Sequence, residues 1–306
     1  MRLVLLILIL NIQYVFAQSL SKSFTYLYEG QYDLAATSLH EILKYHHDNP
    51  AAQYGFAKLY SMKDYKQYNL DSANYFALKC SEGLKKEWPK GDQKKFLKVG
   101  FREYNVSELQ KRINNEAYRV ADSINQAAEW NHFISVFTSS PMISTAIEKR
   151  NQAAFNEALQ KNDYKSFEDF LEKYPDAKQV NQARELYEDH LYKTKTKDST
   201  WLSYKLFIDA YPKSPYYTRA KANYERLLFI DKTKMHRVND YVTFAQEFPD
   251  NSYAQAAEDS VFSIVTRDDQ LSSYLNFIQA YPSNRNVNAA WQKVFEDQGS
   301  VVFVRR

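Results

Sequence analysis

The sequence predicts an all-α protein whose helix-turn-helix repeats stack into an α-solenoid. Three observations lead there. A phrase returns at a fixed interval of 37 residues: FEDFLEKYPDA begins at Phe167, YKLFIDAYPKS at Tyr204 and YVTFAQEFPDN at Tyr241. Glycine is scarce, six in 306 residues with none between Gly100 and Gly299, so the Gly-bearing turns of tight β-hairpins are missing. Aromatic residues make up 16% of the chain, led by 25 tyrosines, which supplies bulky side chains for a helical core.

Taken from the N-terminus, residues 1–17 read as a secretory signal peptide. Arg2 provides the positive start, Leu3 to Leu10 the apolar run, and Val15 and Ala17 the small residues before a cut at Gln18. The run is too short for a membrane span. No later segment is long and apolar enough to span a membrane, so the mature chain is expected to be exported, periplasmic or secreted, with no transmembrane segment. The one cysteine, Cys80, has no partner for an internal disulfide and reads as a small buried side chain. A net charge of +3 with both signs interspersed does not imply a nucleic-acid partner.

Residues 18–80 carry a helical pattern without a strict period. YLYEGQYDLAATSLHEIL contains Gly30, Tyr32, Ala35 and Leu39; the next stretch contains Gly55, Tyr60, Leu70, Ala73 and Ala77. Residues 81–112 break the pattern, with nine Lys and Arg against five Asp and Glu. They read as a solvated basic connector, with Lys85, Lys86, Lys94 and Lys95 as a candidate patch for an anionic partner. A helix is predicted from about Ser107 to Gln126, leading into the strict repeats.

Residues 113–298 hold those repeats. In each unit three aromatics are spaced n, n+3 and n+7: Trp130, Phe133, Phe137; Phe167, Phe170, Tyr174; Tyr204, Phe207, Tyr211; Tyr241, Phe244, Phe248; Tyr274, Phe277, Tyr281. That spacing puts three rings on one helical face, and a core stripe is the reading preferred over a ligand stripe. Pro175, Pro212, Pro249 and Pro282 follow the third ring, with Thr138 in the first unit. Proline drives the residue before it out of the helical region and ends the short helix. A longer helix is then expected, with Ser140-Pro141 and Ser214-Pro215 read as N-cap and N1 and Asp250 and Asn251 as caps in the next unit. Each long helix carries an alanine in register, Ala146, Ala183, Ala220, Ala257 and Ala290, where a neighbouring helix can come close. The intervals are 37 three times and then 33. Periods of this size mark stacked arrays. The tail, residues 299–306, reads GSVVFVRR and suggests a short strand, the alternative being a tail that caps the last helix pair.

These residues resemble the tetratricopeptide-repeat superfamily. The N-terminal Gly-x-Tyr and alanine pattern resembles the repeat itself, and LFIDAYPKSPYYTRA resembles the variant found in bacterial cell-envelope proteins, such as the outer-membrane assembly lipoprotein and the Tol-associated periplasmic coordinator. The resemblance implies a helical-repeat scaffold with a protein or peptide partner in the bacterial envelope.

The chain offers little chemistry. There is no glycine cluster to cradle a phosphate and no Gly-x-Ser-x-Gly elbow. HEILK at His40 lacks the second histidine of a zinc helix. His46-His47-Asp48 is read as a helix-end polar patch, because neighbouring residues on a helix point about 100° apart. The expectation is a protein that is no enzyme and needs no cofactor or metal, acting as a non-enzymatic scaffold. The competing reading is a glycan or cell-wall binding module, with Tyr65, Tyr68, Tyr216 and Tyr217 as stacking rings.

Overall fold

The computed structural model describes residues 20–304, with side chains described through 296; the expected signal peptide lies outside the described residues. The chain is all-helical, with neighbouring helices packed on one another as in a helical-repeat solenoid and no strand among the described residues. The helices are α1 (20–28), α2 (Tyr32–Tyr45), α3 (Pro50–Tyr60), α4 (Leu70–Leu84), α5 (Lys90–Lys98), α6 (Glu103–Ile124), α7 (Ala127–Val136) and α8 (Ile143–Lys161). They continue as α9 (Tyr164–Lys173), α10 (Val180–Lys195), α11 (Trp201–Ala210), α12 (Tyr217–Lys232), α13 (Val238–Glu247), α14 (Ala254–Val265), α15 (Leu271–Ala280) and α16 (Val287–Val304). No described helix is long and apolar enough to cross a membrane. The chain forms two compact units, one of residues up to 160 with 172–180, the other of 161–171 with residues from 181 onward.

In the first unit, α3 packs against α2 and α4, and α4 against α6. Small residues permit these approaches. Ala73, Ala77 and Cys80 of α4 have no exposed surface. Gly55 faces the Leu39 side chain so closely that a Cβ there would lie 2.7 Å from it, and Gly83 abuts Pro50. Gly30 sits in a turn at φ +75°, whereas Gly55 is a packing glycine inside α3. Residues 81–112, expected to break the repeats, hold the end of α4, all of α5 and the first half of α6. The predicted helix therefore begins earlier than Ser107, at Glu103.

The second unit shows the repeat clearly. α11 packs on α12, α13 on α14 and α15 on α16. The central ring of every triad, Phe133, Phe170, Phe207, Phe244 and Phe277, is at most 2% exposed, and all five register alanines are at 0%. The third ring is the helix C-cap. Tyr211, Phe248 and Tyr281 leave the helical region at φ near −130° and ψ near +57°, and their N–H groups donate to the central Phe carbonyl at 2.9 Å. Phe137 does the same without a following proline, so proline enforces a stop that the packing already makes.

Ser140 and Ser214 are not N-caps. Their hydroxyls accept the N–H two residues on, from Met142 and Tyr216, and α8 and α12 begin at Ile143 and Tyr217. Asn251 and Asn284 cap the same turn in later units. Two successive turns fill the gap, and the expected N1 proline falls in the second of them, ahead of the helix. The same position ties long helices together: Ser214 Oγ donates to Glu188, and the Asn251 and Asn284 amides donate to the carbonyls of Glu225 and Glu258.

A fourth ring completes four of the units. It lies on the long helix before the short one, fifteen residues ahead of the central Phe. Tyr118 meets Phe133 edge-on at 5.7 Å, Tyr192 meets Phe207 at 5.3 Å, Phe229 meets Phe244 at 5.2 Å and Phe262 meets Phe277 at 5.1 Å. T-shaped pairs of this kind add about 0.5–1.5 kcal/mol beyond area burial. The final 33-residue interval preserves the contact. Phe229 follows its register alanine by nine residues and Phe262 follows Ala257 by five. Removing four residues shortens the helix by about one turn and leaves the ring on the same face.

The scarcity of glycine does not mean that left-handed turns are absent. Asn125, Asn162, Ser199, His236 and Asp269 all have φ between 50° and 55°, at intervals of 37, 37, 37 and 33. Each sits between a long helix and the next short one, where glycine is the usual residue. Three use their side chains to hold the first ring of the triad. Asn125 Oδ1 accepts Trp130 Nε1–H at 3.2 Å, His236 Nδ1 and Tyr241 Oη are 2.8 Å apart, and Asp269 accepts the Tyr274 hydroxyl. The tail differs from its expected strand: α16 continues as helix through Val304.

Two predictions follow from these contacts. Ser199 makes no such bond to Tyr204, so Ser199→Gly is expected to raise stability by about 0.5–1 kcal/mol by relieving the left-handed strain. His236→Gly forfeits a hydrogen bond worth about 1 kcal/mol and is expected to gain nothing; urea unfolding of the two variants tests the contrast. Separately, the phenols of Tyr54 and Tyr187, chiefly by burial, and of Tyr274, chiefly by its hydrogen bond to Asp269, are pushed up to about 12. An unfolded tyrosine titrates near 10. The stability these groups contribute is therefore complete below about pH 10 and lost as pH rises toward about 12. Unfolding midpoints followed across that window should fall, and less steeply in Asp269→Asn.

Candidate functional site

The longest described helix of the first unit, α6, carries the candidate site. Glu103, Ser107, Gln110 and Asn114 recur at steps of four, three and four, which places them on one helical face. With Lys111 and Asn115, with Ser81, Leu84 and Lys85 at the end of α4, and with Pro141, they line a groove of about 610 Å³. Leu84, Val106 and Pro141 supply apolar surface; the rest is amide, hydroxyl and charge. A chain of amides stiffens one side. Gln110 Nε2 donates to Asn74 Oδ1 at 2.7 Å and to Asn114 Oδ1 at 3.0 Å, and Asn74 Nδ2 donates to the Val136 carbonyl at 2.9 Å. Both Gln110 hydrogens are thereby used, while its Oε1, shut off from solvent, has no partner. A buried acceptor left alone costs about 1–3 kcal/mol.

A smaller cleft of about 330 Å³ lies along another face of α6, lined by Ser61, Lys63, Arg112, Glu116 and Arg119, and Asn115 borders both. Lys63 Nζ and Glu116 meet at 2.6 Å, with Arg119 3.6 Å away. The hydrogen bond between them holds the Glu116 carboxyl below, and the Lys63 ammonium above, its ordinary value. Arg112 and Arg119 leave the cleft with cationic character.

The residues expected to bind fare unevenly. Lys85 lines the groove. Lys86 pairs with Asp48 at 3.4 Å and Lys95 with Asp92 at 3.0 Å. Lys94 is exposed on α5. Tyr65 is not a stacking surface: it is 3% exposed, edge-on to Tyr32 and Tyr60. Tyr68 is half-buried beside the Lys63–Glu116 pair, its hydroxyl buried without a partner. Tyr216 is stacked on Tyr192 at 4.7 Å and donates to Asp189, which occupies one face and its polar tip. Tyr217 is half-buried at the start of α12. Among the described residues the tyrosines that do face solvent are others, Tyr28, Tyr45, Tyr75 and Tyr104. The sequence reading also missed Gln110, Lys111, Asn114 and Asn115, although QKRINNE at residues 110–116 carries two amides, Gln110 and Asn114, at helical spacing.

Among the described residues no group of three or more His, Cys, Asp or Glu could hold a metal ion. His46 to Asp48 follow the end of α2, with Asp48 engaged by Lys86. Cys80 is buried in α4, its Sγ donating to the Ala77 carbonyl, and burial pushes its thiol up to about 12. No protein-family profile matches the chain, and no curated protein matches it in sequence.

Because the thiolate is the reactive form, Cys80 is expected to resist a maleimide in the native chain at pH 8 and to label fully in urea. Mass spectrometry of the two samples gives the answer; rapid native labelling would mean that α4 opens far more readily than its packing implies.

Proposed function

We propose that this chain is an exported, non-enzymatic scaffold of the tetratricopeptide-like kind that binds a protein or extended peptide in the bacterial cell envelope. The observation that carries the reading is the α6 groove, with its row of amides and hydroxyls between charged residues. An extended peptide presents backbone N–H and C=O groups at regular intervals, and the exposed Ser107 hydroxyl and Asn115 amide can pair with them. Lys85, Lys111 and Glu103 at the rim add charge selection, which acts more on encounter rate and partner choice than on affinity. The signal-like N-terminus supports export, and the resemblance of the aromatic phrases to envelope repeat proteins supports the compartment. The glycan-binding reading has less support, since two of the rings proposed for it, Tyr65 and Tyr216, are engaged inside the fold.

The test is site-specific photo-crosslinking in cells of the source organism, with the photoreactive residue at Lys111 in the groove or at Arg219 on α12. A discrete protein adduct is expected at 111 only. Asn115→Arg, an exposed change at the border of the two clefts, should cut its yield by about tenfold, equivalent to about 1.4 kcal/mol. Equal adducts at both positions, or none at 111 while the chain is retained on peptidoglycan, would overturn the reading.

A further inference from the structure

The repeat states in its own residues what covers each long helix, and α16 shows the same surface uncovered. Residues 289–295 of α16 read AAWQKVF, and residues 256–262 of α14 read AAEDSVF. The two align position for position at the 33-residue interval. Ala257 and Val261 are buried, as are Ala290 and Val294. The next residue separates them. Phe262 is half-buried because α15 lies over it, bringing Tyr274 to 6.2 Å and Phe277 edge-on at 5.1 Å. Phe295 occupies the same register and is 64% exposed. Among the described residues no short helix follows it: α14 ends at Val265, three residues beyond its ring, whereas α16 runs on in helix to Val304.

A second difference points the same way. Where α14 has Glu258, α16 has Trp291, 39% exposed and stacked on Phe295 at 5.8 Å. A helix left open to water at the edge of a stack ordinarily carries a polar outer face. Here an acidic position has become a tryptophan, and the Lys293–Glu296 pair stands beside it. An aromatic centre with a polar border is the anatomy of a binding patch.

We infer that the Trp291–Phe295 face of α16 is a docking surface for a helix from another polypeptide that carries two aromatics three residues apart, the pair with which α15 covers α14. The occupant's chemistry is set by the four contacts already made inside the chain, in which a long-helix ring receives the central ring of a short helix edge-on. This surface lies in the second unit and is independent of the α6 groove, so either can fail without the other.

The probe is a peptide of residues 269–284, DQLSSYLNFIQAYPSN, which is α15 with its flanks. A staple between Ser272 and Asn276, both exposed in α15, holds it helical, since so short a helix is marginal in water. Fluorescence anisotropy with the full chain is expected to show saturable binding. Phe295→Asp should weaken it about thirty-fold or more, as loss of a central aromatic anchor does, with an unchanged melting curve because the residue faces solvent. The same peptide with Tyr274→Ala and Phe277→Ala should not bind. Three outcomes would overturn the inference: no saturable binding of the stapled peptide; binding unaffected by Phe295→Asp, which would mean the peptide displaces α15 from α14; or self-association of the chain that Phe295→Asp abolishes, which would make a second copy the occupant.

Discussion

The contact on which the repeats depend is a ring-on-ring junction between a long helix and the short helix after it. A ten-residue helix has too few turns to be stable alone. Its one large asset is a central phenylalanine, and that ring is buried in every unit. Part of its cover comes from the preceding long helix, whose last aromatic stands edge-on to it at 5.1–5.7 Å in four units. The repeat period follows from this junction. An insertion or deletion in the long helix is tolerated when it keeps the ring on the same side, which means whole turns, and the single change of interval along the chain is four residues.

Geometry at the junction explains the residue choice in the left-handed turns. The chain must reverse sharply from the long helix into the short one, and glycine would do so without strain. Yet all five repeat turns use a residue with a side chain. In three of them that side chain takes the polar atom of the first ring, a Trp N–H or a Tyr hydroxyl. A tyrosine buried at that position needs a partner for its hydroxyl, and the left-handed residue five positions earlier is within reach. Backbone strain at one residue is thus exchanged for polar satisfaction at another. The unit with Phe167 in first place has no hydroxyl to satisfy, and its Asn162 is a residue that tolerates this conformation well.

This division also explains what could be read in advance. The triads, the prolines and the register alanines keep one chemical type along the repeats, so spacing alone exposes them. The left-handed position reads Asn, Asn, Ser, His, Asp, and its common property is a backbone angle that no single residue type encodes. The fourth ring is aromatic in every unit but lies fifteen residues from the triad, on another helix, so that helical spacing does not link them. The serine before each Ser-Pro proline carries a true capping signal that falls one turn too early, because two turns separate the helices. GSVVFV has β-branched residues that favour a strand in isolation, but no second strand is present among the described residues to pair with it, and α16 simply continues. At the candidate site, Lys85 was legible from charge. The amides of α6 were not, because Gln and Asn on a helix face look like ordinary surface until the Asn74–Gln110–Asn114 chain shows them holding one another.

Regularity and binding compete for the same side chains. In the strict repeats the polar groups near the helix junctions are committed to neighbours: Ser214 to Glu188, Asn251 and Asn284 to backbone carbonyls, Tyr216 to Asp189. Those bonds hold the stack together and leave little to offer a partner along its length. Polar and aromatic groups free to meet a partner, on the reading proposed above, lie where the repeat is broken. One break is α6, whose 22 residues exceed what junction packing requires and expose a polar face. The other is α16, which continues as helix past the point where α14 ends and whose Phe295 ring faces solvent. In a stack whose units are specified by what covers them, an uncovered unit is already shaped for its complement, and Trp291 in place of an acidic residue makes that surface more apolar than its covered counterpart on α14.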